Sequence, residues 1–140
     1  MRESFNEYMM KIVDVIATRA TCSRRQVGCV IVDDVSHIIA TGFNGVPKGY
    51  PHCTDTPCGG EGYDTGEGLD ACLSTHAEQN ALIQCRRPND VDTIFVSTSP
   101  CMSCAKLIAN SSCIKVVCRT IYDQKAVDLL NKCGIQVLTC

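Results

Sequence analysis

The chain has 140 residues, 45% of them apolar and 20% charged, with a formal net charge of -2 and twelve cysteines. That is enough apolar material for one core, and the mild acidity excludes the broad basic face that an extended phosphate backbone demands. No apolar run is long enough to span a bilayer and MRESFNEYMM lacks the layout of a secretion signal, so a single cytoplasmic domain over residues 1–140 is expected.

The first element is a helix over about residues 3–20, because Phe5, Tyr8, Met9, Ile12, Val13 and Ile16 recur at spacings of three and four. VGCVIVD (27–33) and SHIIATGF (36–43), separated by a short polar step, read as an antiparallel hairpin. STHAEQNALIQ (74–84) starts another helix. DTIFVST (92–98) and IKVVCR (114–119) have the near-continuous apolar content of strands buried on both faces. CAKLIANS (104–111) and DQKAVDLLNKCG (123–134) have helical spacing, and IQVLT (135–139) is a last strand. Alternation in the second half requires right-handed crossovers and parallel strands. The expected product is an α/β protein, a three-layer α/β/α sandwich with a mixed five-stranded sheet. A Gly/Cys-rich insert at about 53–72 interrupts it; TDTPCGGEGYDTGEGLD (54–70) holds five glycines and five acids, too few apolar groups to order itself by burial.

Without a secretion signal, metal ligation explains a high cysteine content better than a disulfide scaffold does. Cys29, Cys85, Cys113, Cys118, Cys133 and Cys140 lie in or beside apolar runs and read as small buried hydrophobes. The others carry chemistry. In SPCMSCAKLI (99–108), Pro100 suits a helix's first position, and Cys101 and Cys104 are three apart on its first turn, where the positive end of the helix favours thiolates. His76, at the start of another helix, adds an imidazole, giving three ligands of a tetrahedral zinc site whose fourth position stays open, the mark of catalytic zinc. Glu78, two residues on, is placed to exchange protons with a water held there. H-x-E followed by P-C-x-x-C is the signature of zinc deaminases. A redox motif or half a structural finger accounts for the cysteines alone, but not for all four residues in this order.

TCSRRQVGCVIV (21–32), ATGFNGVPKGYPHC (40–53), HAEQNALI (76–83) and SPCMSCAKLIANS (99–111) resemble the deoxycytidylate (dCMP) deaminases of bacteria and phages over most of the chain. The resemblance implies the cytidine deaminase fold, a cytoplasmic setting in a bacterium or phage-infected host, and hydrolysis of dCMP to dUMP and ammonia, feeding thymidylate synthesis. It makes His76, Cys101 and Cys104 the zinc ligands and Glu78 the proton shuttle. By the same resemblance the zinc would supply the hydroxide that attacks C4, and Glu78 would protonate the ring nitrogen and then the departing amine. Asn44 matches the family asparagine that hydrogen-bonds the sugar. For the phosphate the candidate cations are Arg24, Arg25, Arg87 and Arg119, among which Arg25, with Tyr122, is selected.

Relatives of this kind are implied to be homohexamers activated by dCTP with Mg2+ and inhibited by dTTP, with the effector near GFNGVPKG (42–49). Gly42, Asn44, Gly45 and Lys48 are the effector candidates. A second, structural zinc is implied near the insert, with Cys22 and Cys53 where its ligands fall in the resembling motifs. Cys58 and Cys72 complete the set, with His52 as substitute; the alternative is four ordinary reduced thiols. Two rival functions share the motif. An RNA adenosine deaminase would favour a basic surface that this acidic chain lacks, and a purely structural zinc module has no use for Glu78.

Overall fold

A computed structural model describes residues 1–60, 62–64, 67 and 72–140. The first helix, α1 (Phe5–Ala17), begins at Ser4, whose Oγ accepts from the Glu7 N–H while the Glu7 carboxylate accepts from the Ser4 N–H. This capping box satisfies two of the first turn's unpaired donors and sets the start two residues later than apolar spacing alone suggests. The hairpin follows as β1 (Gly28–Val32) and β2 (Ile38–Phe43), antiparallel to one another. Its turn is fixed by buried Asp33, which accepts from the backbone N–H groups of Val35 and His37 and from Arg87.

Then come α2 (Ala77–Gln84), a single 3-10 turn (Pro88–Asp90), β3 (Thr93–Thr98), α3 (Met102–Ala109), β4 (Lys115–Thr120), α4 (Gln124–Lys132) and β5 (Gln136–Thr139). The strands line up in the order β2-β1-β3-β4-β5. β1 is antiparallel to β3, while β3, β4 and β5 are parallel. The mixed five-stranded sheet therefore forms as the alternation requires.

Its two faces bury different helices. Met9, Met10 and Val13 of α1 pack on Val30, Val32, Phe95 and Val117, and each of these side chains contributes about 1.5 to 3 kcal/mol by leaving water. The opposite face carries Cys29, Ile31, Ile94, Val96, Val116 and Cys118, covered by Ala77 and Ala81 of α2, Ala105 and Ile108 of α3, and Ala126 and Leu130 of α4. The two parallel crossovers put α3 and α4 on the side that α2 also covers, so α3 packs against α4 and meets α2 above the sheet. Small residues bring α2 close: a Cβ at Gly42 of β2 would lie 2.4 Å from the Ala77 carbonyl oxygen and 2.5 Å from the Ala81 nitrogen. Among the described residues no helix is long and apolar enough to cross a membrane.

The cysteines divide differently from the sequence expectation. Cys29, Cys85, Cys113 and Cys118 are buried as small hydrophobes, but Cys133 and Cys140 are exposed. Cys133 caps the C-terminal end of α4 and Cys140 follows the last strand, positions where an adjacent apolar run does not extend burial to the neighbour.

Candidate metal centre and active site

An antiparallel bridge between Gly45 and Thr75 delivers the chain to α2. His76 is the residue before the helix, with extended backbone (φ -75°, ψ 155°), and its N–H donates to Gln79 Oε1 at 2.8 Å. Glu78 is the second residue of the helix proper and is 5% exposed. Two residues that no regular helix puts on one face thus converge, because one of them stands just off the helix. α3 is built the same way. Cys101 precedes it with extended backbone (φ -71°, ψ 173°), and buried Cys104 is its third residue. Pro100 therefore lies one position before the cap and not at the helix's first position, which Met102 holds. The proline ends the extended run from β3, since it cannot donate a backbone bond.

His76 Nδ1 lies 3.3 Å from Cys101 Sγ and 3.3 Å from Cys104 Sγ. Among the described residues these three form the group whose ligand atoms all fall within 4.8 Å of one another. Zinc ligand distances of about 2.3 Å to sulfur and about 2.0 to 2.1 Å to nitrogen put tetrahedral N and S donors roughly 3.5 Å apart, so the trio fits that ion closely. The charges agree. Cys101 is pulled down to about 4, first by its hydrogen bond with Cys104 and then by His76. The same contact and burial push Cys104 up, and His76 is raised chiefly by Cys101. Three donors that share protons this tightly gain most from a cation that replaces them. Glu78 has its carboxyl pushed up by burial, with the Cys101 charge adding to it, and it touches the Cys104 thiol.

His76 and Cys101 of the trio line a cleft, and Cys104 lies fully buried behind them. Arg24, Arg25, Asn44, Glu78 and Tyr122 also line it. The Arg25 guanidinium carbon sits 5.0 Å from the centre of the Tyr122 ring, and the Tyr122 N–H donates to Ser99 Oγ. Asn44 is 6% exposed, its Oδ1 accepting from the Val27 N–H at 2.8 Å and its Nδ2 donating to the Arg25 carbonyl at 2.9 Å. An amide has two N–H groups and two lone pairs, so one of each is left for a ligand. Arg87 pairs with Asp33 and Asp90, and Arg119 with Asp14, so both are engaged away from the cleft. Arg24 donates to three backbone carbonyls, of Tyr63, Asp64 and Glu67.

Two of the three glycines of GFNGVPKG have packing reasons for lacking side chains. Gly42 is the contact point for α2, and a Cβ at buried Gly45 would lie 2.2 Å from Thr21 Oγ1. Lys48 is exposed. At the insert, Cys58 hydrogen-bonds to Cys53 and Cys72, and Cys53 senses the charge of Cys22. Cys58 is lowered to about 7, first by the Leu73 N–H and then by Cys53. The four thiols are neighbours without reaching the mutual 4.8 Å of the first trio, and His52 is exposed with its carbonyl accepting from Asp55 and Thr56. The insert positions Glu61, Thr65, Gly66 and 68–71 lie outside the described residues.

Two supporting residues escaped the sequence reading. Gln79 holds the His76 backbone, and a glutamine three residues after a helix-starting position is the signal for it. Ser99, 1% exposed, positions Tyr122, and no spacing signal marks it.

Residues 3–120 match the family described as "Cytidine and deoxycytidylate deaminase zinc-binding region". A deoxycytidylate deaminase of Schizosaccharomyces pombe is 34% identical over 97% of this chain, although the chain spans only 44% of that relative's length. The deoxycytidylate deaminase of Mycobacterium phage D29 is 36% identical over 83% of this chain and 94% of its own. The crystal structure of the dCMP deaminase from the cyanophage S-TIM5 in complex with dCMP and dUMP is 28% identical, covers 100% of this chain and 99% of its own, and superposes with a TM-score of 0.76. With the His76, Cys101 and Cys104 trio in place beside Glu78, this chain belongs to the zinc-binding cytidine and deoxycytidylate deaminase family.

Proposed function

We propose that the chain is a zinc-dependent hydrolase that converts dCMP and water to dUMP and ammonia. The observation that carries this reading is the convergence of His76 Nδ1 on the Cys101 and Cys104 sulfurs, with buried Glu78 on the wall of the same cleft. A zinc ion held by these three residues acidifies a bound water to a pKa of about 7 and so supplies the nucleophile at neutral pH.

The rest is done by the chain's own groups. Glu78 takes one proton from the attacking water and delivers it to ring N3 as the C4–O bond forms; it then takes the second proton from the new C4 hydroxyl and delivers it to the C4 amino nitrogen, so the C4–N bond breaks, ammonia leaves and a C4 carbonyl remains. A carboxyl raised by burial suits both halves of that task, because it holds a proton nearer neutral pH than an exposed one does. Asn44 offers one N–H and one lone pair to a sugar hydroxyl, and Arg25 offers its fork to a single phosphate over the Tyr122 ring. A net charge of -2 favours such a small nucleotide over RNA.

Three further readings belong to this proposal. The Cys22, Cys53, Cys58 and Cys72 neighbourhood takes a second, structural zinc once the thiols draw together, supported by the contacts of Cys58 and its lowered pKa. The enzyme assembles as a homohexamer, supported by exposed Ile83 and Leu107 along a groove between α2 and α3. It responds to dCTP with Mg2+ and to dTTP at the loop that carries exposed Lys48.

The test is ammonia release from dCMP, deoxycytidine and dCTP in parallel, each with and without dCTP or dTTP as effector. Selective turnover of dCMP supports the reading. Silence on all three from protein that holds zinc overturns it.

A further inference from the structure

Two adjacent arginines at the mouth of the cleft look interchangeable in sequence, but their surroundings differ. The connector between α1 and β1 is fixed at several points: the Thr21 N–H donates to the Asn44 carbonyl, the Thr54 N–H donates to the Thr21 carbonyl, and Asn44 Nδ2 donates to the Arg25 carbonyl. From this rigid base Arg25 reaches Tyr122. Arg24 turns to the insert, where one guanidinium nitrogen, Nη1, lies 3.2, 3.0 and 2.9 Å from the carbonyl oxygens of Tyr63, Asp64 and Glu67. Tyr63, Asp64 and Glu67 are exposed, and their stretch of chain is poor in apolar groups, so burial does little to hold it. Three carbonyls converging on one cation can hold it, because hydrogen bonds to a charged donor are about twice as strong as neutral ones.

We infer that Arg24 is a positioning residue: it clasps the insert at Tyr63, Asp64 and Glu67 and so holds the insert beside the cleft rim that Arg24 and Cys72 themselves line, while Arg25 is the arginine that meets the ligand. The assignment rests on the proposed dCMP deaminase activity for its kinetic part only. Its consequence is that the loss of Arg24 weakens every substrate alike, whereas the loss of a phosphate ligand penalises dCMP alone.

The experiment uses the zinc-loaded full chain and the variants Arg24→Ala, Arg24→Gln and Arg24→Lys. It measures kcat and KM for dCMP and deoxycytidine, together with the rate of limited proteolysis between residues 57 and 72. Arg24→Ala and Arg24→Gln are expected to raise KM about tenfold for both substrates, with kcat within about twofold, and to speed cleavage of the insert about tenfold. Arg24→Lys recovers part of both effects, because an ammonium is a charged donor with three N–H groups of its own. A KM increase confined to dCMP makes Arg24 a phosphate ligand and overturns the inference. Unchanged cleavage of the insert, or faster cleavage with unchanged KM, overturns it too. If the parent protein turns over neither substrate, the functional proposal falls and the proteolysis rates alone decide the clasp.

Discussion

Replacing Gly42 with alanine tests how tightly the active-site helix is set against the sheet. The new Cβ would stand 2.4 Å from the Ala77 carbonyl oxygen, 2.5 Å from the Ala81 nitrogen and 3.1 Å from the Ala81 Cα. Comfortable contact needs about 3.5 Å, so α2 must retreat from β2 by roughly 1 Å. The obstacles are backbone atoms, so no side-chain rotation relieves them. Ala77 and Ala81 are fully buried, and Asn80 Nδ2 ties the helix to the Phe43 carbonyl at 2.8 Å. Overpacking costs about 1 to 3 kcal/mol, and here the upper end applies, which for a domain of this size lowers Tm by roughly 10 °C. Because α2 carries His76 and Glu78, a shift of that order also reduces turnover of dCMP by about 100-fold. Gly49→Ala is the control: its Cβ meets nothing within 4 Å, leaving a strained φ of +91°, which costs about 1 kcal/mol. Thermal unfolding and turnover of the two zinc-loaded variants supply the comparison. A Gly42→Ala protein within about 2 °C of the parent and of similar activity would refute the reasoning.

Arg25→Ala should raise KM for dCMP at least tenfold more than KM for deoxycytidine, because a guanidinium contact to phosphate contributes well over 1 kcal/mol; equal effects on both substrates would remove Arg25 from the phosphate site. Asp33 accepts from two backbone N–H groups and Arg87, and these hold its carboxyl below the usual range. A depressed carboxylate adds stability above its unfolded pKa of about 3.9 and loses it as pH falls through the lower folded value. The gap in urea midpoint between the parent and Asp33→Asn should therefore be full at about pH 6 and close towards about pH 3, and a gap independent of pH would contradict this. Metal analysis of the pure protein should return two zinc ions per chain if the second thiol cluster binds one, and a single ion in the Cys58→Ser, Cys72→Ser double variant; one ion in the parent removes the second site.

The parts of the molecule that the sequence reveals are those where chemistry restricts residue type. Only a soft donor set with an open position explains His76, Cys101 and Cys104 together with Glu78, and the near-continuous apolar runs of 92–98 and 114–119 leave little choice of sheet. What it conceals depends on contacts between distant segments. Nothing local says that Gly42 exists to admit α2, that Gly45 faces Thr21, or that Arg87 is committed to Asp33. Arg24 and Arg25 are identical as letters and differ only in what the fold brings to them, carbonyls in one case and Tyr122 in the other. Cys133 and Cys140 mislead for a related reason, since an apolar neighbourhood in sequence ends abruptly where a helix or strand reaches the surface.

The account turns on Glu78 moving protons beside a metal that it does not bind. Glu78→Gln keeps the shape and burial of the side chain and removes its ability to accept and return a proton. Zinc content and dCMP turnover measured on the same preparation decide the matter. The expected result is unchanged zinc at His76, Cys101 and Cys104 with turnover reduced by at least about 1,000-fold. Turnover near that of the parent with zinc retained would contradict the account.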